Sequence, residues 1–308
     1  MTIDLKSKYL GGMVGSALGD AIGELAFTYP QRDLLLSRLD QVSELRYTDD
    51  TAMAIGLSES IIKEGGINQQ QLGDTFRNNF EREPWRGYAS GPPTIFSMVK
   101  RFGITYTDAA RRMFGGGGSL GNGAAMRIAP AGLFFHNSTG LYEEASASAE
   151  VTHAHPVGMD GAAVQAWAVA NAVNLDPKEK FPLMHYMQGL VDCARTPDIR
   201  EKMMLVQRLI TEDVSPDVAA DGIGRTVAVH ESMPFAVYSF IRNFHSFEES
   251  LFCAILNGGD RDTLGAMACA ISGAYLGIEA IPQSLREKLE NRSDIEDLAL
   301  ALAEMVIF

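Results

Sequence analysis

Positive charge is in short supply along this chain. Its 308 residues carry 26 lysines and arginines against 39 aspartates and glutamates, a formal net charge of -13 and a pI near 4.9. An acidic surface opposes binding to nucleic acid, whose phosphates need basic side chains to displace counterions. It also opposes an anionic membrane face. Cysteine is scarce too: Cys193, Cys253 and Cys269, with no C-x-x-C pair. An odd number of widely spaced cysteines gives neither a disulfide framework nor a zinc site, and a reduced, cytoplasmic setting is expected. No apolar run is long enough for a membrane span, and Gly19 and Asp20 interrupt the amino-terminal apolar stretch before it resembles a signal peptide. Strand-like alternation is rare and never long.

What remains is helical periodicity almost everywhere. Residues 7–22, 51–64, 68–80, 123–135, 140–151, 157–173, 198–212, 228–243, 247–256, 263–278 and 293–306 read as helices. The pattern predicts an all-α protein with compact many-helix packing, and the length allows one large domain or two. Many of these segments are rich in alanine and glycine, which lets helix axes approach closely. Residues 174–200 hold Pro177, Pro182 and Pro197 and read as irregular surface structure.

Acid is concentrated at two helix starts. Thr48-Asp49-Asp50-Thr51 opens one and Asp260-Arg261-Asp262-Thr263, entered through Gly258-Gly259, opens another. Brought together, their four aspartates would repel one another unless cations sat among them. Oxygen-only donors of this kind suit Mg2+, Mn2+ or Ca2+ rather than zinc. Taken singly, Asp49, Asp50 and Asp262 could each be an ordinary N-cap. The doubled acids with their threonines exceed what capping requires, which favours metal. Asp20 can cap or bond neighbouring backbone, or orient a metal ligand.

The glycine run Gly115–Gly118 continues into Ser119-Leu120-Gly121-Asn122-Gly123. Because the apolar pattern restarts at once with Ala124, a loop opening onto a helix fits better than an interdomain linker. Such a loop can present N–H groups to an anion. Arg127 is expected to point toward phosphate or an acidic neighbour. His153 and His155 flank Ala154 before Pro156, and His153 is assigned to the pocket while His155 is read as structural. His230-Glu231 lacks the second histidine of a zinc-protease helix and is expected to pack or cap. Trp85 and Trp167 read as core, with Trp85 able to border a cleft.

Five segments now stand in order: Gly15–Gly23, Tyr47–Thr51, Gly118–Arg127, Thr152–Pro156 and Gly258–Thr263. This order resembles the ADP-ribosylglycohydrolase family across most of the chain. The resemblance implies an all-α fold, a compact orthogonal multi-helix bundle forming a single domain over residues 1–308, with a pair of Mg2+ ions, or Mn2+ in their place, in a cleft. It implies hydrolysis of the glycosidic bond that joins ADP-ribose to a protein side chain or a small acceptor. Position by position, Thr48, Asp49, Asp50, Asp260, Asp262 and Thr263 match the metal-binding segments. Gly117, Gly118, Ser119, Leu120, Gly121 and Asn122 match the loop around the diphosphate and ribose, and His153 matches a pocket histidine. Asp50 and Asp262 thereby become catalytic candidates. The implied partners are ADP-ribosylated compounds and a transferase system that makes them.

Three positions depart from the family's pattern. Phe27 stands where many members carry a carboxylate near the scissile bond, and Glu24 is the nearest acid and the candidate base. Arg261 interrupts the second acidic cluster, and Leu120 replaces an aromatic side chain of the glycine loop. A protein of the same fold that binds ADP-ribose without cleaving it is the alternative these departures leave.

Overall fold

The computed structural model describes residues 4–307, and among them lie 18 α-helices, two single 3-10 turns and no strand. Two isolated bridges, Leu45 with Leu289 and Gly121 with Ala228, are the only β-type pairing there. One continuous hydrophobic core runs from Tyr9 to Ala303. No described helix is long and apolar enough to cross a membrane.

The first helix, Leu5–Thr28, is buried on nearly every side and forms the axis of the molecule. It runs antiparallel to Arg261–Leu276, the helix that follows the second acidic cluster. Gly11, Gly15, Gly19 and Gly23 recur one turn apart and face Gly273, Cys269, Gly265 and Arg261 in succession. A Cβ at Gly15 would stand 2.6 Å from the Cys269 carbonyl oxygen, and one at Gly19 would overlap the Gly265 carbonyl. The two helices therefore touch backbone to backbone over about three turns. This seam fixes where Asp20 and Glu24 lie relative to Asp260 and Asp262. At its other end, the buried ammonium of Lys8 donates to the carbonyls of Leu175 (2.6 Å) and Tyr275 (2.8 Å), tying the helix to two neighbouring C-terminal ends.

Several sequence expectations need correction. The stretch 123–135 is two helices, Gly123–Met126 and Ala129–Phe134, because Pro130 cannot donate into a continuous helix and its ring excludes the preceding turn. The region read as irregular contains the helix Leu183–Cys193, whose Tyr186, Met187, Leu190 and Val191 make a buried stripe. Its prolines lie outside the helix and mark helix beginnings at Pro182 and Pro197. The helices Arg32–Gln41, Gly91–Phe102, Tyr106–Arg112 and Pro216–Ile223 went unread as well. Only two or three core positions on each of the first and last gave a weak stripe.

Candidate active site

The two acidic clusters meet at the floor of a cleft of about 580 Å3. Asp49, Asp50, Asp260, Asp262 and Thr263 all line it, brought there by the glycine seam. Asp49 and Asp50 occupy the first turn of the helix Asp49–Glu64, and Asp262 that of Arg261–Leu276, so both positive helix ends face the same spot.

Capping does not account for the first pair. The N-cap position is Thr48, which makes no side-chain cap bond. That helix is capped from outside by Asp20, which is fully buried. Its carboxylate accepts from the N–H of Thr48 at 3.0 Å, the N–H of Thr51 at 3.0 Å, and the hydroxyls of Thr48 and Thr51 at 2.8 and 2.6 Å. Asp20 thus spends its oxygens on orienting the acidic turn. Asp49 and Asp50 are left over for other work, and Asp50 Oδ1 is buried with no hydrogen-bond partner.

Electrostatics points the same way. Burial, reinforced by the neighbouring aspartates, pushes Asp49 up to about 7 and Asp262 up to about 8. Asp50 is raised well above the ordinary carboxylate range by the same causes. Asp20 is lifted to about 6 by burial, opposed by its hydrogen bonds to Thr51 and Thr48. Such a group cannot be fully ionised at neutral pH without compensating cations. The donors are hard oxygens, and one of them is a buried orphan, so the residues fit divalent cations of the Mg2+ type. Among the described residues no three acidic, histidine or cysteine side chains already close around one point. The carboxylates line the space as a set of donors rather than as a finished cage.

The glycine loop forms the facing wall. Gly118, at φ 72, lies against the backbone of Ala154 and His155, where a Cβ would stand 2.6 Å from the His155 nitrogen. The N–H groups of Gly116 and Gly118 bond to the Met113 carbonyl and that of Gly117 to the Phe114 carbonyl. Ser119 and Leu120, like Gly115 and Gly123 at the ends of the loop, keep N–H groups with no acceptor among the described residues. Asn122 reaches across the cleft and donates to Asp260 at 2.7 Å. A strap at residues 225–229 joins both walls: Val227 accepts from Asn122 N–H, Val229 donates to Leu120, and Arg225 accepts from Asp260 N–H. Glu231 secures the strap by accepting from the Thr226 hydroxyl, while the N-cap of its own helix, Ala228, receives no side-chain cap bond.

His153 lies beneath the loop, with Nδ1 2.8 Å from the Thr152 hydroxyl. Burial, with Arg127 nearby, lowers it to about 3, so the ring is neutral. His155 caps the helix Pro156–Val173 by accepting from Val157 N–H. Arg127 differs from expectation. It is fully buried, stacks over Phe76 at 4.7 Å, and donates to the Gly123 carbonyl and the Thr152 hydroxyl. It holds the loop's base rather than a ligand. Arg261 turns out of the cluster and donates to the Ile255 carbonyl, at the end of the preceding helix. Its charge is thereby directed away from the carboxylates.

The loop 83–91 separates this cleft from a second hollow of about 410 Å3 that shares Asp49 and Asp262 with it. Glu24 lines that second hollow and is exposed, one turn beyond Asp20 on the same helix. Trp85 is 70% exposed there, not core as expected, because no apolar stripe of a helix carries it inward. Trp167 is half-buried against Tyr186. Phe27 is exposed and lines neither hollow. Phe114, 68% exposed at the cleft mouth, was missed by sequence reasoning. An aromatic side chain just before a glycine run is the signal that could have marked it. A larger hollow of about 720 Å3 behind the helix Asp49–Glu64 contains none of the two acidic clusters.

The sequence model of the ADP-ribosylglycohydrolase family matches residues 1–307. ADP-ribosylhydrolase ARH3 of Bos taurus is 31% identical over 340 residues, spanning 96% of this chain and 92% of that protein. The Homo sapiens protein of the same name is 29% identical, spanning 96% of this chain and 93% of that one. A solved structure described as an ADP-ribosylglycohydrolase-related protein complex superposes with a TM-score of 0.74 at 24% identity, covering 98% of this chain and 99% of that one, and shares its fold. The chain belongs to the ADP-ribosylglycohydrolase family and is a hydrolase of glycosyl bonds.

Proposed function

We propose that this protein removes ADP-ribose from a protein side chain or small acceptor in a reaction that depends on divalent cations, Mg2+ first and Mn2+ second. The observation that carries this reading is Asp50: a buried carboxylate with one unpartnered oxygen, surrounded by three further aspartates on a cleft floor opposite a glycine loop. Bound by Thr48, Asp49, Asp50, Asp260, Asp262 and Thr263, the cations would neutralise the carboxylates and polarise the ribose hydroxyls and a water.

The chain's own groups supply the rest. The N–H groups of Ser119 and Leu120 face diphosphate oxygens, with Gly117, Gly118 and Gly121 keeping side chains out of the way. Asn122, held by Asp260, orients the ribose. Neutral His153 supports the loop and can hydrogen-bond the sugar without adding charge. Phe114 offers a flat apolar face to a base at the mouth. As the glycosidic bond breaks, positive charge grows on the ribose ring, and the aspartates below stabilise it. The water oxygen bonds to the anomeric carbon. One of its protons passes through Glu24, which borders the acceptor side, to the departing atom.

Two measurements test this. Melting temperature should rise by several degrees with millimolar Mg2+ and fall back with chelator, and ADP-ribose should appear from ADP-ribosylated substrate only in the first condition. Melting that ignores Mg2+ would remove the metal from the reading, and tight ADP-ribose binding without turnover would make the protein a sensor. Glu24→Gln should lower kcat about 100-fold with little change in melting temperature, since the side chain is exposed. An unchanged kcat would assign the proton transfer elsewhere.

A further inference from the structure

One hydrogen-bond donor in the cleft is fixed from behind. Arg127 is fully buried, and its guanidinium has only N–H groups to offer, with no lone pair. One arm donates to the Gly123 carbonyl at 2.8 Å. The other donates to the Thr152 hydroxyl oxygen at 2.8 Å and to the Ser148 carbonyl at 3.3 Å. Thr152 is 2% exposed, so its own proton needs an acceptor close by. The one further group bonded to that hydroxyl among the described residues is Nδ1 of His153, at 2.8 Å. The polarity therefore runs one way, from Arg127 through Thr152 to His153. The reverse order would aim two donors at one oxygen and leave the buried hydroxyl proton without an acceptor.

The consequence falls on the other ring nitrogen. A neutral imidazole that accepts at Nδ1 carries its hydrogen at Nε2. Burial, with Arg127 nearby, lowers His153 to about 3, so the ring stays neutral at physiological pH. His153 is 7% exposed and lines the cleft of about 580 Å3, and its Nε2 makes no hydrogen bond among the described residues. The glycine loop packs against the same edge of the ring. A Cβ at Gly123 would stand 2.9 Å from Nε2 and 2.7 Å from Cε1, and one at Gly121 would stand 3.5 Å from Nε2. A nearly buried, unpartnered N–H is thus held beside the loop.

We infer that Arg127 and Thr152 are positioning residues that lock His153 in its Nε2–H tautomer, so that it donates a hydrogen bond to an oxygen of the nucleotide held by the glycine loop. The opposite tautomer would turn a lone pair toward the ligand's oxygens. Both residues act through the imidazole. The identity of the ligand rests on the reading of the cleft as an ADP-ribose site; the tautomer does not.

Nitrogen-15 NMR of the histidine rings reads the tautomer before any ligand is added, with His153 assigned by its loss in His153→Gln. Nδ1 should resonate as an unprotonated ring nitrogen and Nε2 as a protonated one, unchanged between about pH 5 and pH 8. A protonated Nδ1 in the unaltered protein would overturn the inference. Adding ADP-ribose to the Mg2+-loaded, unaltered protein should shift the Nε2–H proton resonance, and no shift at saturation would overturn it too. Thr152→Val keeps the shape and removes the hydroxyl. Its His153 signals should move toward a mixture of tautomers, and calorimetry should show ADP-ribose binding about tenfold more weakly, the loss of about one hydrogen bond. Thr152→Ser should restore both. With ADP-ribosylated substrate the change should appear in KM, with kcat altered by less than about twofold. A Thr152→Val protein that keeps the tautomer, or loses it and binds ADP-ribose as before, would sink the inference. The expected tautomer in a protein that binds no ADP-ribose would keep the lock and sink the ADP-ribose reading of the cleft.

Discussion

Asp50→Asn is expected to make the metal-free protein more stable and the enzyme inactive. The buried Asp50 carboxylate is desolvated and repelled by Asp20, Asp262, Asp49 and Asp260, so its proton is held far above the ordinary range. The sign follows from linkage. The folded state keeps this proton at a pH where the unfolded chain has lost it, so stability drains away as pH rises above the unfolded value and the loss is large at pH 7. An isosteric amide removes the charge without opening a cavity. Stability in chelator at pH 7 should rise by about 2 kcal/mol, or about 5 °C in melting temperature. In Mg2+ the order should invert, because the variant lacks the anionic ligand, and kcat/KM should fall about 1000-fold. Calorimetry of both proteins with and without Mg2+ reads all four cases. A variant less stable than the parent in chelator would mean that Asp50 is a structural acceptor and not a ligand.

Gly19→Val is expected to be the most damaging single change in the scaffold. A Cβ at this position overlaps the Gly265 carbonyl, and no flexible side chain lies there to yield. The first helix and Arg261–Leu276 must separate along their seam, at an expected loss of about 4 kcal/mol, or about 10 °C in melting temperature. The damage should reach the site as well. Asp20 follows Gly19 directly and holds Thr48 and Thr51, so the acidic turn would shift and the Mg2+-induced rise in melting temperature should shrink. Gly66→Ala is the control: nothing lies within 4 Å of its Cβ position, and melting should move by about 1 °C at most. Equal effects at the two glycines would show that the seam is not close-packed in solution.

The candidate site was legible in part for reasons tied to particular residues. Doubled aspartates followed by threonine are unusual enough at a helix start to be noticed without a structure. A glycine run that restarts into an apolar pattern is equally visible. The helices that were missed have narrow stripes or lie beside prolines, and local pattern weighs both against helix. Leu183–Cys193 shows why this misleads: its prolines begin helices rather than break one. Arg127 and Arg261 were ambiguous because direction is not a local property. Their guanidinium groups end on carbonyls of Gly123 and Ile255, which only packing brings within reach.

By itself the sequence determined the helical class, because periodicity is set by neighbouring residues. It also determined the two acidic helix starts and the glycine loop, because each is a contiguous run whose chemistry survives without context. Tertiary structure alone decided that the acidic starts share one floor, since that depends on a glycine seam between segments about 250 residues apart in the chain. It decided that Asp20 caps a helix it does not belong to, freeing Asp49 and Asp50. It also placed Glu24 and Trp85 together on a second face of the centre. These facts are non-local: they follow from which surfaces fit when the apolar area is buried, and no window along the chain contains both partners.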